Sequence, residues 1–261
     1  MNNDLLGSVR RALRVLEYVA DAGAAGRLPR SIATDLGINL STVYHVLNTL
    51  TVDGYIVRDT AAGAYRLGGK AAGLGVAFLR MLPVTPQLQT IVRELSDVTN
   101  ESAYLALLYG RDVVIAEIVE SQQHVRVSSL YPGYTANLHA RALGKAVLAH
   151  CDAAFIAVHF AAHPPVPVTR RTQTSLAELQ TEFGRIRELG FSEDNEEFAE
   201  GVRCIGAPFF GAGDRVRGAF SVSIPAFRFR AARTRARAAV IAAARAATDA
   251  LAGATRSIGN G

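Results

Sequence analysis

Apolar residues recur at helical spacing through the first fifty positions, and the period then changes. Over Ser8–Ala22, Val9, Leu13, Leu16 and Ala20 share one face, widened by Ala12, Val15 and Val19. This predicts an amphipathic helix with Ser8 as its cap. A Gly/Ala loop, Ala22–Arg27, follows. Pro29–Leu36 reads as a short helix, because proline suits a first turn and Gly37 supplies a left-handed stop. Asn39 is placed to cap the next helix, Leu40–Leu50. There Val43, Val46, Leu47 and Leu50 form an apolar stripe, and Ser41, Tyr44, His45 and Asn48 fall on the opposite side. Gly54–Asp59 and Ala64–Gly68 then read as two short strands around the turn Thr60–Gly63.

The polar side of Leu40–Leu50 lacks the Lys and Glu of an ordinary solvated face. Its hydroxyl, amide, imidazole and phenol suit base edges and phosphates in a major groove, although a plain polar face is the alternative reading. Two short helices around a tight turn, followed directly by a β-hairpin, make a winged helix-turn-helix, a mainly α domain over residues 1–68. The hairpin can carry Arg58 and Arg66 to a nucleic-acid backbone. Arg30 and Thr42 complete the candidate contacts with Ser41, Tyr44, His45 and Asn48.

Beyond residue 68 the text GKAAGLGVAFLRML is helical but Gly-rich, until Pro83 and Pro86 interrupt it. This predicts a linker helix within residues 69–85 and a boundary near Leu82. Residues 86–261 read as a mixed α/β (α+β) domain. A helix over Pro86–Thr99 precedes a hairpin of Ser102–Tyr109 and Asp112–Val119, and Val125–Leu130 reads as a third strand. Helices follow over Ala142–His150, Ala153–Phe160 (capped by Asp152) and Leu176–Leu189 (stopped by Gly190), with a Pro-rich loop at His163–Val168. Cys204–Phe210 and Arg217–Ile224 are strands, and Ala231–Ala252 is a long Ala/Arg helix. Antiparallel hairpins flanked by helices predict one central antiparallel sheet covered by helices.

Composition narrows the functional classes. The chain has 261 residues, 49% of them apolar, and a formal net charge of +5. That suits a nucleic-acid partner, with an excess too mild for a protein held by phosphates alone. Cys151 and Cys204 form no CxxC pattern, which argues against a disulfide framework or a structural zinc. His139, His150, His159 and His163 match no standard metal spacing and read as scattered surface residues. No apolar signal core or bilayer-length run is present, so the expectation is a soluble cytoplasmic protein with no membrane partner. There is no G-x-S-x-G elbow, P-loop or dinucleotide fingerprint, and no cofactor is expected. An enzyme acting on small molecules remains the rival class for the second domain.

The segments SVRRALRVLEYVA, GINLSTVYHVLNTLTVDGYIVRD with YRLG, LHARALGKAVLAH, LGFSEDNEEFAEGVRCIGAP and AFSVSIP occur in that order. Together they resemble the IclR family of bacterial transcription regulators over about Ser8–Phe227. The resemblance implies a winged helix joined to a GAF-like effector domain. It further implies a homodimer or dimer of dimers on an inverted-repeat operator in double-stranded DNA, and a small-molecule effector. The chain departs from the family pattern at Leu40 and His45, and at Arg141, where a small residue is usual. The helix start at Ala142 and Leu143 offers backbone N–H groups to an anion. By resemblance, Asp194, Cys204, Ser221 and Ser223 line the effector pocket, with Val125 and Ala136 as apolar wall. Ser221 and Ser223 alternate along a strand and so point to one side. Taken singly, these residues have plainer readings. Cys204 would be a small core residue, the two serines would face solvent, and Glu193–Glu197 would be a solvated turn. Lys145 reads as one end of a structural salt bridge. A site holding both a helix start and Asp194 suits a small organic or aromatic acid that also bears a hydroxyl or keto group.

Overall fold

In the computed structural model, which describes residues 5–125 and 130–258, the apolar stripes of the first fifty residues close on one another. Helices α1 (Gly7–Ala20), α2 (Pro29–Leu36) and α3 (Leu40–Val52) bury Val15, Val19, Ile32, Val43 and Leu47 completely. Each such side chain contributes about 1.5–3 kcal/mol of hydrophobic stabilisation. The Asn39 side chain accepts from the Ser41 N–H at 2.9 Å, and Gly37 adopts φ 63°, so both signals around the turn act as the sequence implies. Helix α1 differs from expectation. Leu6, not Ser8, is its N-cap, without a side-chain bond, and Val9 and Leu13 are half exposed. The face carrying Val15 and Val19 is the one that meets α2 and α3.

Strands β1 (Ile56–Arg58) and β2 (Tyr65–Leu67) form the antiparallel wing, with Ile56 and Tyr65 seated in the same core. Helix α4 (Gly69–Met81) follows and buries none of its residues. These elements form the first of two units, Met1–Met81 and Leu82–Gly261.

The second unit starts with α5 (Pro86–Thr99), capped by the Thr85 hydroxyl and ended by Asn100 in the left-handed region at φ 56°. Its sheet has the order β4-β3-β7-β6-β5, antiparallel throughout: β3 (Ser102–Tyr109), β4 (Asp112–Val119), β5 (Ser192–Asn195), β6 (Val202–Phe210) and β7 (Val216–Pro225). Leu105, Ile205, Phe220 and Val222 are fully buried on the face covered by α5 and α9 (Ala226–Ile258). The other face lies under α6 (Ala142–Leu148), α7 (Ala153–Ala162) and α8 (Leu176–Leu189). Asp152 caps α7 through the Phe155 N–H, and Gly190 ends α8 at φ 74°. Two elements depart from the sequence reading. The expected strand Val125–Leu130 lies largely outside the described residues, and its two ends are not in a strand. The acidic run expected as a turn includes an edge strand, β5, made by pairing with β6 rather than by any apolar alternation.

Two glycines let α6 approach its neighbours. A Cβ on Gly144 would lie 2.3 Å from the Leu138 carbonyl oxygen, in the 3-10 turn Leu138–Ala140 that precedes α6. A Cβ on Gly206 would lie 2.9 Å from the carbonyl carbon of Ala142, so the start of α6 rests directly on β6. Gly144→Ala is therefore expected to cost about 1–3 kcal/mol or more through backbone overlap. Gly184→Ala, in α8 with its nearest neighbour 3.9 Å away, is expected to gain about 0.5–1 kcal/mol. Urea unfolding of the two variants checks both signs.

Candidate nucleic-acid interface and ligand cavity

The exposed side of α3 carries Ser41, Tyr44, His45 and Asn48, opposite the buried Val43 and Leu47. The Ser41 hydroxyl donates to the Asn39 side chain at 2.8 Å and keeps its acceptor capacity. Thr42 is half buried, in a groove between α1 and α3 that His45 also lines. Arg30 stands exposed in the first turn of α2. In the wing, Val57 pairs with Arg66 and Arg58 with Tyr65, so Arg58 and Arg66 point to opposite faces of the hairpin. Arg58 is exposed. Arg66 makes an ion pair with Asp59, whose carboxylate also accepts from the Ala61 and Ala62 N–H groups and braces the turn. A phosphate reaching Arg66 has to compete with that pair.

In the second unit, strand register builds a polar surface under α6. Ser102, Ser223, Cys204 and Asp194 lie side by side across β3, β7, β6 and β5. Tyr104, Ser221, Gly206 and Ser192 form the adjacent row. All of these side chains point to the same face, because every second residue of a strand does. Ser221 and Ser223 are buried, not solvated, and the Cys204 thiol lies 3.1 Å from the Ser223 hydroxyl. Burial pushes the Cys204 thiol well up, which keeps it protonated and unreactive. A small cavity of about 10 Å³, the space one water needs, opens between these rows and the start of α6. Asp194, Cys204, Ser221 and Ser223 line it with Ala142 and Leu143. Leu130, Phe198 and Val202 add its apolar wall, in irregular segments and at a strand end where sequence periodicity gives no signal.

Val125 and Ala136 are not part of this cavity. Val125 is exposed, and its carbonyl accepts from Arg228 at 3.0 Å. Ala136 lines a separate cavity with Asp112, His139, His159 and His163. Both sit in loops whose path depends on tertiary packing. The histidines are thus less scattered than expected. His139 is buried with its Nε2 2.9 Å from the Val166 carbonyl, yet no group of three or more His, Cys, Asp or Glu among the described residues could hold a metal ion.

Two buried cations sit beside the polar rows. Lys145 is fully buried, with Nζ 2.7 Å from carboxylates of Glu182 on α8 and of Glu197 after β5. Burial alone would lower its pKa, but the two glutamates outweigh it and hold it raised. Arg141, immediately before α6, is also buried and is among the residues that line the cavity. Its Cζ lies 4.7 Å from the centre of the Tyr134 ring, and none of its three side-chain nitrogens has a hydrogen-bond partner among the described residues. Burial lowers its pKa to about 10, so it stays charged at neutral pH. Asp194 accepts from the Glu197 N–H at 2.7 Å and the Phe198 N–H at 3.4 Å, and burial raises its pKa to about 7.

The Asp194 shift has a measurable sign. Between the ordinary value of 3.8 and about 7 the native state holds a proton that the unfolded chain has lost. This group's contribution to stability therefore falls as pH rises through that window, by at most about 1.4 kcal/mol per pH unit, and levels off above it. Asp194→Asn keeps an acceptor for both N–H groups and removes the titration. Its stability relative to wild type is expected to rise from pH 4 to pH 7 and then stay constant. The histidines titrate in both proteins and cancel in the difference. Urea unfolding across that range checks it.

Comparison with known proteins fits this arrangement. Residues 8–60 match the IclR helix-turn-helix domain and residues 76–250 match the bacterial transcriptional regulator IclR C-terminal domain. The chain is 34% identical over 236 residues to the HTH-type transcriptional regulator BhcR of Paracoccus denitrificans, covering 90% of this chain and 84% of that one. It is 28% identical over 223 residues to the transcriptional repressor IclR of Escherichia coli, covering 85% and 81%. An IclR-type regulator from Silicibacter sp. TM1040 superposes with a TM-score of 0.74 at 27% identity, over 94% of this chain and 96% of that one. These relatives are transcriptional regulators, not enzymes, and the chain belongs with them to the IclR family, as a DNA-binding regulator with a C-terminal effector domain.

Proposed function

We propose that this regulator binds an inverted-repeat operator as a homodimer, or a dimer of dimers, and that a small organic acid alters that binding. The uncharged polar face of α3 carries the first part. Tyr44, His45 and Asn48 are exposed there and offer groups that read base edges, and Arg58 stands exposed on the wing. One such unit covers only a short half-site, and two-fold symmetry doubles the contacts. Exposed apolar residues support self-association: Leu74, Val76 and Met81 on α4, and Leu5, Leu6, Val9 and Leu13 at α1. The acid is supported by the donors around the cavity. These are the Ser221 and Ser223 hydroxyls and the first N–H groups of α6. Asp194 then asks the ligand for a hydroxyl donor or, when protonated, for a carbonyl acceptor. An effector of this kind shifts operator binding by its differential affinity for the competent and incompetent states.

Tyr44→Ala or Asn48→Ala is expected to weaken specific binding by about 1–3 kcal/mol with little change in fold. Arg58→Ala is expected to weaken binding to all sequences and flatten the salt dependence. Fluorescence anisotropy on an operator selected from random DNA tests both, and undiminished binding by the combined variant removes the assignment. Sedimentation of the protein, free and on DNA, is expected to show at least a dimer, and a monomer in both states contradicts the symmetric operator. Calorimetry with hydroxy, keto and aromatic acids is expected to find a ligand whose affinity drops in Ser221→Ala and Asp194→Ala. A tightest ligand that is cationic, or neutral and apolar, refutes the acid.

A further inference from the structure

We propose that Arg141 is the specificity-determining residue of the effector cavity, a buried guanidinium that selects a short carboxylate bearing a second polar group. The inference rests on the cavity assignment made above and adds the group that chooses the ligand. Arg141 is only 2% exposed, its three side-chain nitrogens have no hydrogen-bond partner among the described residues, and the residue lines the cavity. A buried charge without hydrogen-bonded partners is costly, and a fold retains one where something outside the chain completes it. The Tyr134 ring at 4.7 Å faces the charge but accepts no fork of hydrogen bonds.

Asp194 fills that role only in part: its charge favours the guanidinium, but no hydrogen bond joins the two. Its carboxylate is turned to the Glu197 and Phe198 N–H groups. The other nearby acids, Glu182 and Glu197, are taken by Lys145. Arg141 thus shares a cavity with two neutral hydroxyls, a thiol and one acid whose Oδ1 is already engaged with backbone. A carboxylate supplies two acceptor oxygens at the spacing of the guanidinium fork, as a neutral amide or alcohol does not. The free space of about 10 Å³ holds one water, so any acid has to displace part of the lining, and a short one displaces least. Once its carboxylate meets Arg141, the rest of a short acid lies within the same small cavity as Ser221, Ser223 and Asp194. A hydroxyl or carbonyl on the neighbouring carbon suits them.

The full-length protein is tested as wild type, Arg141→Met and Arg141→Lys. The probes are glycolate, lactate, pyruvate and malonate, with lactamide as the neutral counterpart of lactate. Thermal shift and calorimetry are the readouts. In wild type at least one of these acids is expected to bind saturably, and lactamide is not. Arg141→Met is expected to lose about thirtyfold or more in affinity for that acid. Arg141→Lys keeps the charge without the fork, and an intermediate loss is expected. A second expectation needs no ligand. Arg141→Met should melt higher than wild type, because it removes a buried charge that has no hydrogen-bonded partner among the described residues and keeps the stem volume, whereas a structural role would lower the melting temperature.

Equal binding of the acid by wild type and Arg141→Met overturns the Arg141 assignment and leaves the acid effector standing. Lactamide binding as well as lactate overturns it too. If none of the acids moves wild type while a neutral or cationic metabolite does, both readings fall. A lower melting temperature for Arg141→Met, with circular dichroism unchanged, shows a structural partner and ends the proposal.

Discussion

The buried ammonium of Lys145 ties together the elements around the small cavity of the second unit. It comes from α6 and is gripped at 2.7 Å by Glu182 on α8 and by Glu197 in the segment after β5. Glu197 also gives its N–H to Asp194, so the same cluster fixes the acid at the cavity edge. Removing one partner from such a group typically costs 3–5 kcal/mol, because the remaining charge stays behind in low dielectric. The same helix makes its close approach at Gly144 and Gly206. Charge pairing and glycine contact set the same few ångströms of backbone.

The two buried cations beside α6 stand in opposite conditions. Lys145 is paired with two glutamates, and the guanidinium of Arg141, four residues earlier, has no hydrogen-bond partner among the described residues. They sit within one short helix and at its N-cap, and both are buried, so burial alone does not separate a charge paired within the chain from one left without such a pair. Partnership does. The DNA-binding unit shows the same contrast at lower stakes, where Arg66 is held by Asp59 and Arg58, on the other face of the wing, is exposed.

Much of the fold is legible in the sequence because its signals are local. Asn39, Asp152, Gly37 and Gly190 mark helix ends by chemistry that acts within four residues, and the structure uses them as such. The helix α1 shows where periodicity stops. Two overlapping apolar stripes fit the same residues, and only the packing of α2 and α3 selects Val15 and Val19. Strand β5 has no apolar alternation, and pairing with β6 creates it. That register brings Asp194 beside Cys204 and Ser223, a meeting no single segment specifies. The inward turn of Arg141 and the placement of Val125 and Ala136 elsewhere depend on loop paths, which carry no period at all.

Helix α4 has a consequence for how the chain behaves along its length. Glycines at 69, 73 and 75 have nothing within 4 Å of where a Cβ would stand, and no residue of the helix is buried. Each interior glycine costs a helix about 1 kcal/mol relative to alanine, and thirteen residues is near the length at which an isolated helix is marginal in water. Helix α4 thus draws little stability from its own residues. Any partner that covers Leu74, Val76 and Met81 would supply order to the helix at the same time as it gains a binding surface.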